Sequence, residues 1–184
     1  MLIFFYFFLS FFVFVSFVSI IYWTIKNGIS PMPTSPKVKK ALLQMVDEGI
    51  PKDLPRNIFE LGSGFLTLAW PLAKQFPNNQ IIALEMSTIP YIYSKAINYF
   101  FKKINLDIKK EDFFTVNLNQ ASLVVCYLYP RAMEKLRFKF EQELQDGTYV
   151  VSNTFAIQGW QPIKRAVVDD LYKTNIYLYR YKKD

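Results

Sequence analysis

Residues 57–72, NIFELGSGFLTLAWPL, combine a short apolar strand, a glycine-containing turn and an apolar run with helical spacing. The strand carries Glu60 near its end, and Gly62 and Gly64 then flank Ser63. Because glycine lacks a Cβ atom, the backbone at these two positions can turn tightly and approach a ligand closely. An ordinary strand-to-helix turn also favours glycine and serine, so the segment alone leaves both interpretations open.

Two phosphate-binding loops do not match this segment. A dinucleotide-binding G-x-G-x-x-G pattern needs glycine at position 67, where the chain has Thr67. A G-x-x-x-x-G-K-[ST] loop needs a final lysine followed by serine or threonine, and the segment has neither at that place. The glycine loop therefore fits cofactors that contain a pyrophosphate group poorly.

Strands and helices alternate along the rest of the chain. The predicted strands cover 58–61, 80–84, 105–108, 121–128, 148–155, 165–168 and 176–181. The predicted helices are one from the cap Ser35 to Gly49, one over 66–76 that is bent or interrupted at Pro71, one over 89–100, and one from Pro130 to Gly147. This alternation predicts an α/β fold with a doubly wound, mostly parallel, seven-stranded sheet. Too little chain separates the last two strands for a helical crossover, so we expect them to form an antiparallel hairpin.

Acidic and aromatic side chains follow the ends of two other predicted strands. Glu85 closes the second strand, about 20 residues beyond the glycine loop, where a carboxylate can accept hydrogen bonds from ribose hydroxyls. Asp112 and Phe113 follow the third strand, where an acid beside an aromatic ring suits an adenine base. The alternatives are a solvent-exposed strand end and a polar loop before a core phenylalanine. Ligands bind parallel sheets at the carboxyl ends of strands, so these residues and the glycine loop form one candidate site.

The same residues resemble the cofactor site of class I S-adenosylmethionine-dependent methyltransferases. The resemblance covers roughly residues 40–181 and implies a Rossmann-like methyltransferase fold with S-adenosyl-L-methionine as cofactor. It implies that the cofactor is bound by Glu60, Gly62, Ser63, Gly64, Glu85, Asp112 and Phe113. The chain departs from the family pattern at Leu66, where a third glycine is common.

Three further motifs narrow the resemblance. The segments "FELGSG", "LYPRAMEKL" with "FEQEL", and "VVSNTFAIQGWQP" are similar to small membrane-anchored methyltransferases, among them the protein-lysine methyltransferases of the ATP synthase c subunit. That group has a segment from a phenylalanine to a W-x-P motif after the fifth strand, here Phe155 through Trp160 and Pro162. This resemblance implies a lysine on a membrane-associated protein as the methyl acceptor.

The catalytic residues are expected just after the fourth strand. Tyr127, Tyr129 and Pro130 lie there, where a tyrosine hydroxyl can orient an amine and aromatic faces favour cationic methyl groups. Trp160 is a candidate for the substrate channel. Each of these aromatic residues has an alternative role in packing, because most of its surface is apolar.

The composition limits the chemistry that the chain can perform. It contains no histidine and a single cysteine, Cys126. These counts exclude His-based nucleophile pairs, and we expect no metal site and no internal disulfide. Methyl transfer from an activated sulfonium needs alignment and desolvation more than an imidazole base. The net charge of +7 suits anionic lipids, RNA or an acidic protein, and charge alone does not choose among them.

Residues 1–25 contain no charged side chain and predict a transmembrane anchor. The flanks lack the features of a cleaved signal peptide. Lysines occur only after the span, which predicts a single-pass protein with its catalytic domain on the cytoplasmic side, or the organelle equivalent. Residues 26–36 are then a proline-rich linker, and 37–184 form the methyltransferase domain.

The sequence therefore predicts a membrane-anchored methyltransferase that acts on a lysine of a membrane-associated protein, with the bilayer as a further partner. Methylation of a lipid or quinone is one alternative, and a non-catalytic membrane scaffold with the same fold is another. Nucleic acid is not an expected partner, since only the net charge favours it.

Overall fold

A computed structural model of the protein describes residues 2–27 and 34–183. The helices are α1 (Leu2–Asn27), α2 (Pro36–Gly49), α3 (Ala69–Gln75), α4 (Thr88–Phe101) and α5 (Pro130–Glu143). The strands are β1 (Asn57–Leu61), β2 (Ile81–Leu84), β3 (Leu106–Lys109), β4 (Ala121–Cys126), β5 (Tyr149–Asn153), β6 (Lys164–Val167) and β7 (Asn175–Arg180). Part of the predicted linker, residues 28–33, lies outside the described residues.

The helix α1 contains the segment for which a transmembrane anchor was expected. Its described side chains are exposed, and several others lie outside the described set. Over the described part of the chain, no helix combines the length and apolar character needed to cross a membrane. The transmembrane prediction is therefore not supported.

All seven strands belong to one sheet with the order β3-β2-β1-β4-β5-β7-β6. The first five positions in this order are parallel, whereas β7 is antiparallel to both β5 and β6. The predicted doubly wound sheet and its final antiparallel hairpin are thus confirmed. The carboxyl ends of β1 to β5 meet at one edge of the sheet, which is called the carboxyl edge below.

Two hydrophobic cores cover the two faces of the sheet. On the first face α2 and α3 pack against β1, β2 and β5, and Tyr91 of α4 joins this core. On the second face α5 packs against β1, β4 and β5. The central strand β4 is buried along its whole length, as expected for a parallel strand that is covered on both sides.

The local signals for α2 are confirmed by its geometry. Ser35 is the N-cap, and its hydroxyl accepts a hydrogen bond from the Val38 N–H at 3.3 Å. Pro36 occupies the first turn, where the missing N–H has no intrahelical partner to lose. Gly49 is the last residue of the helix.

Several predicted boundaries were wrong by a few residues. Helix α3 begins at Ala69 rather than at position 66, because Leu66 has a left-handed backbone with φ of 59°. Pro71 therefore lies in the first turn and does not bend the helix. Strand β4 ends at Cys126, two residues early, and α5 ends at Glu143, before the loop that contains Gly147.

Candidate active site

The glycine loop is folded back on the end of β2. The N–H groups of Gly62 and Ser63 both donate to the Leu84 carbonyl oxygen at 2.9 Å. Gly62 and Gly64 have φ values of 73° and 52°, a conformation that side chains with a Cβ atom rarely adopt. A Cβ atom added to Gly64 would have no neighbour within 4 Å, so the space beside the loop is open. The loop thus presents bare backbone to open space at the carboxyl edge.

Leu66 also has a left-handed backbone, although it is not a glycine. Its φ is 59°, and its side chain is buried in the first core. This conformation is strained for leucine by roughly 1–2 kcal/mol. A glycine at this position would avoid the strain, which accounts for its frequency in related loops, whereas leucine adds apolar burial.

Glu85 fastens the glycine loop to the end of β2. Its Oε2 atom accepts a hydrogen bond from the Gly64 N–H at 2.8 Å, and its Oε1 atom accepts one from the Ser87 N–H at 2.6 Å. From the other side, the Ser94 hydroxyl donates to the Gly64 carbonyl oxygen at 2.9 Å. The residue expected to bind ribose therefore also holds Gly64 in place, which the sequence did not indicate.

Glu60 and Ser63 carry buried polar atoms that no described residue contacts by a hydrogen bond. Glu60 Oε2 and Ser63 Oγ have no hydrogen-bond partner among the described residues. Burial raises the pKa of the Glu60 carboxyl well above its usual value, the Ala69 N–H at the start of α3 lowers it, and the charge of Glu85 raises it. Buried polar groups normally have a partner, so these two atoms indicate a polar ligand next to the glycine loop.

Asp112 and Phe113 lie beyond the end of β3, at the same edge. The Asp112 carboxylate accepts a hydrogen bond from the Phe114 N–H at 2.9 Å and stabilises the turn after the strand. Phe113 and Phe114 contact each other, with ring centroids 4.6 Å apart, and both pack on the second core. The alternative interpretation as a polar loop before a core phenylalanine thus describes part of what these residues do.

Tyr127, Tyr129 and Pro130 follow β4 at the carboxyl edge. The Tyr129 carbonyl oxygen accepts the N–H groups of Ala132 and Met133 in the first turn of α5. Both tyrosines are half-buried, and neither hydroxyl has a hydrogen-bond partner among the described residues. The two hydroxyl groups are therefore available to a ligand.

Cys126, at the end of β4, is not a candidate nucleophile. Its side chain is fully buried, and burial raises its pKa to about 12. The thiol consequently stays protonated at neutral pH.

Asn153 is a further candidate at the carboxyl edge that the sequence analysis missed. It ends β5 and is buried, one position beyond Ser152, which pairs with Cys126. Its Oδ1 atom accepts a hydrogen bond from the Thr154 hydroxyl at 3.2 Å, which leaves the amide nitrogen without a partner in the described part of the chain. Thr154 has φ of 70°, which is unusual for a β-branched residue. A polar residue at the end of the apolar run "YVVSN" is the signal that could have revealed it.

Comparisons with known proteins agree with this geometry. A family model described as the ANTKMT methyltransferase domain matches residues 60–164, more than half of the chain. The chain belongs to this family. The match begins at Glu60 and includes the glycine loop, Glu85, Asp112, the segment after β4 and the end of β5.

One curated relative is a methyltransferase, and two solved structures share the fold. The methyltransferase is 29% identical over 151 residues to a protein-lysine N-methyltransferase from Saccharolobus islandicus (strain REY15A), covering 80% of this chain and 91% of the relative. An RNA methyltransferase from Salinibacter ruber in complex with S-adenosyl-L-homocysteine has a similar fold, with a TM-score of 0.71, 22% identity, and coverage of 83% and 95%. The M1A22 tRNA methyltransferase TrmK from B. subtilis has a TM-score of 0.61 at 12% identity, with coverage of 82% and 67%. At these identities the two structures show the fold alone.

The family match establishes an S-adenosylmethionine-dependent methyltransferase, with S-adenosyl-L-methionine as cofactor, and the solved structures show the class I methyltransferase fold. The protein is therefore an enzyme and not a non-catalytic scaffold. Its residues fit the cofactor on three observations: the open space beside Gly64, the unpartnered atoms of Glu60 and Ser63, and the order of Asp112, Glu85 and the loop along one edge. In the described part of the chain, no group of three His, Cys, Asp or Glu side chains could hold a metal ion.

Trp160 lies away from this edge of the methyltransferase. Its ring stacks on Tyr181 with centroids 5.2 Å apart, and its indole N–H donates to Glu141 at 3.3 Å. Tyr181 follows the end of the antiparallel strand β7, so it lies towards the edge of the sheet opposite to the glycine loop. The contacts support the packing alternative for Trp160, and its role in substrate binding stays a prediction.

Proposed function

We propose that this methyltransferase methylates a lysine side chain of a protein. The observation that carries the proposal is the similarity, over most of both chains, to a relative named protein-lysine N-methyltransferase. The absence of histidine from the sequence is compatible with this chemistry. A lysine amine that reaches the site in its neutral form needs alignment rather than a strong base.

S-adenosyl-L-methionine, when bound, supplies an electrophilic methyl group on a sulfonium sulfur. On this proposal, the chain holds the cofactor with the backbone of Gly62 and Gly64 and with the polar groups of Glu60 and Ser63. Glu85 binds the ribose while it keeps Gly64 in position through its existing hydrogen bond. Asp112 and Phe113 bind the adenine end, since β3 is the outermost parallel strand.

The acceptor lysine is proposed to enter between the segment after β4 and the end of β5. Partial burial there lowers the pKa of an amine and favours its neutral form. The hydroxyl oxygens of Tyr127 and Tyr129 can then accept hydrogen bonds from the amine N–H groups and leave the nitrogen lone pair free to attack the methyl group. The Oδ1 atom of Asn153, which accepts one hydrogen bond from Thr154, has a second lone pair for the same purpose. Pro130 fixes the backbone at the start of α5, next to these tyrosines.

A labelling experiment tests the acceptor class. Host-cell membranes and soluble extract are each incubated with the methyltransferase and radiolabelled S-adenosylmethionine, and protein, lipid and RNA fractions are then separated. We expect label in protein and methyl-lysine after hydrolysis of the labelled band. The matched control is Gly64→Val, which places a branched side chain in the open space beside the loop.

Other outcomes would overturn the proposal in different ways. Label in the extractable lipid fraction would indicate a lipid or quinone acceptor. Label in RNA would indicate that RNA is the methyl acceptor and that the net positive charge binds it. If the labelled protein yields a methylated residue other than lysine, the protein is still a protein methyltransferase, but lysine is not the side chain that it methylates.

We also propose that the amino-terminal residues hold the protein at a membrane, with the catalytic domain on the cytoplasmic side or its organelle equivalent, and that the substrate is membrane-associated. This proposal rests on the sequence alone: residues 1–25 are uncharged, and lysines follow them. Full-length protein should stay in the membrane fraction at high salt, which screens surface charge but does not extract an inserted helix. Release by salt, or a carboxyl-terminal reporter active only outside the cytoplasm, would reject it.

A further inference from the structure

The helix α4 exposes apolar side chains on the face that points away from the sheet. Ile92, Ala96, Tyr99 and Phe100 follow the i, i+4, i+7, i+8 spacing of one helix face. The exposed fractions are 59% for Ile92 and 76% for both Tyr99 and Phe100. Pro90 and Ser94 lie on the opposite face and are buried. The outward face of α4 is thus largely apolar, whereas the outward face of a surface helix is usually polar.

The apolar surface continues beyond the end of the helix. Ile104, in the loop between α4 and β3, is 96% exposed, and Phe101 is 66% exposed although its ring contacts Trp70. Isolated exposed apolar residues are common on protein surfaces, whereas contiguous patches of this kind mark interaction sites. The α4 surface is defined here as Ile92, Ala96, Tyr99, Phe100, Phe101 and Ile104.

The charged residues of the segment that contains the α4 surface are all positive. Between Glu85 and Asp107 the chain contains no acidic residue, and it carries Lys95, Lys102 and Lys103. A second copy of the protein would bring these lysines close to their own counterparts, and the repulsion opposes a symmetric dimer through this surface. Apolar and tyrosine side chains bordered by lysines are instead typical of a helix that lies in the surface of an anionic bilayer.

The position of α1 also favours a bilayer as the partner of the α4 surface. The α1 helix lies close to α4, and its described side chains, such as Phe4 and Phe14, are exposed and apolar. Apolar side chains are therefore exposed on both of these neighbouring helices. At about 1.5 Å per residue, the 14 residues of α4 are too short to cross a bilayer core, so α4 can only lie along it.

We propose that the α4 surface docks on an anionic lipid bilayer and holds the catalytic domain against it. Ile104 and Phe100 enter the headgroup region, and Lys102 and Lys103 contact anionic headgroups. Phe100 and Ile104 lie at the end of α4 where the chain enters β3 at Leu106, so this docking brings the end of the helix farthest from Glu85 nearest to the bilayer. The inference does not require α1 to cross the membrane.

A fluorescent label at Ile104 tests the proposal in the full-length protein. Cys126 is buried, so Ile104→Cys provides the accessible thiol for an environment-sensitive dye. Phe138→Cys is the matched control, because Phe138 is exposed on α5, which covers the other face of the sheet. On vesicles of phosphatidylcholine and phosphatidylserine, the dye at position 104 should brighten several-fold and be quenched by spin-labelled lipid. The dye at 138 should change little.

Charge reversal and a lipid-free measurement complete the test. Adding Lys102→Glu and Lys103→Glu to the labelled Ile104→Cys variant should remove most of the response at low salt. A dye at position 104 that remains as water-exposed as the one at 138 on vesicle-bound protein would overturn the proposal. So would a bright signal without vesicles, which would show that α1 or a second copy covers the α4 surface. Anchoring by α1 alone would give bound protein and no difference between the two labels.

Discussion

Leu66 combines a strained backbone conformation with a side chain that is buried in the first core. We expect Leu66→Ala to destabilise the protein by about 2–5 kcal/mol through the lost burial. Leu66→Gly should be about 1 kcal/mol more stable than the alanine variant, because glycine adopts the positive φ without strain. Urea denaturation of both variants measures this difference.

The control pair is Leu72→Ala and Leu72→Gly in α3, where Leu72 is equally buried in a regular helix. There the order should reverse, since glycine in a helix is about 1 kcal/mol worse than alanine. An alanine variant more stable than the glycine variant at both positions would contradict the left-handed conformation of Leu66.

Glu60 is expected to give the ligand-free enzyme a characteristic pH dependence. Burial raises its pKa well above the usual 4.5, so the folded state keeps a proton that the unfolded state releases. The free energy of unfolding should therefore fall as pH rises from about 4.5 to the raised pKa, by up to about 1.4 kcal/mol per pH unit. Glu60→Gln cannot titrate and should lose this slope. Denaturation curves over a pH series compare the two proteins, and parallel profiles would contradict the prediction.

At the scale of elements, the glycine loop is held between β2 and α4 by one side chain from each side. Glu85→Ala should weaken cofactor binding by about 10- to 150-fold if the carboxylate also binds ribose. Ser94→Ala removes only the hydrogen bond from α4 to Gly64 and should cost a few-fold. Calorimetry with S-adenosylmethionine separates the two roles. Equal losses in both variants would mean that Glu85 acts only by positioning the loop.

The end of β4 is expected to affect turnover rather than cofactor affinity. If a hydroxyl orients the amine, Tyr127→Phe or Tyr129→Phe should lower kcat by about 10-fold with unchanged cofactor binding. Tyr149→Phe is the matched control, since Tyr149 begins β5 at the opposite edge of the sheet. Active Phe variants together with inactive Ala variants would assign the role to the rings. Fully active Ala variants would exclude both tyrosines.

For the whole molecule, cofactor binding and fold stability are linked. A ligand that binds only the folded state stabilises it by about 2.7 kcal/mol at a concentration 100 times its Kd. For a chain of this size, S-adenosylmethionine should raise Tm by about 5–10 °C. Differential scanning calorimetry measures the shift, and Gly64→Val should show none. A shift retained in that variant would place the cofactor away from the glycine loop.

The sequence by itself determined the class of the molecule. The alternation of apolar strands with helices predicted the seven-stranded sheet and its antiparallel hairpin, because burial on both faces leaves a pattern in the chain. The motif "ELGSG" and the acids after two strands predicted the cofactor, since glycine and carboxylate have few substitutes in those roles.

Only the tertiary structure decided how single side chains are used. Three features depend on contacts between segments that are far apart in the chain. They are the hydrogen bond from Gly64 to Glu85, the burial of Glu60 and the packing of Trp160. The sequence did not predict Asn153 or the α4 surface, because their roles also depend on neighbours in space. A polar residue at a strand end, or an apolar residue on a helix, has a defined role only when its neighbours in space are known. Local patterns fix which elements form, and packing fixes which of their faces meet a ligand, a core or a solvent boundary.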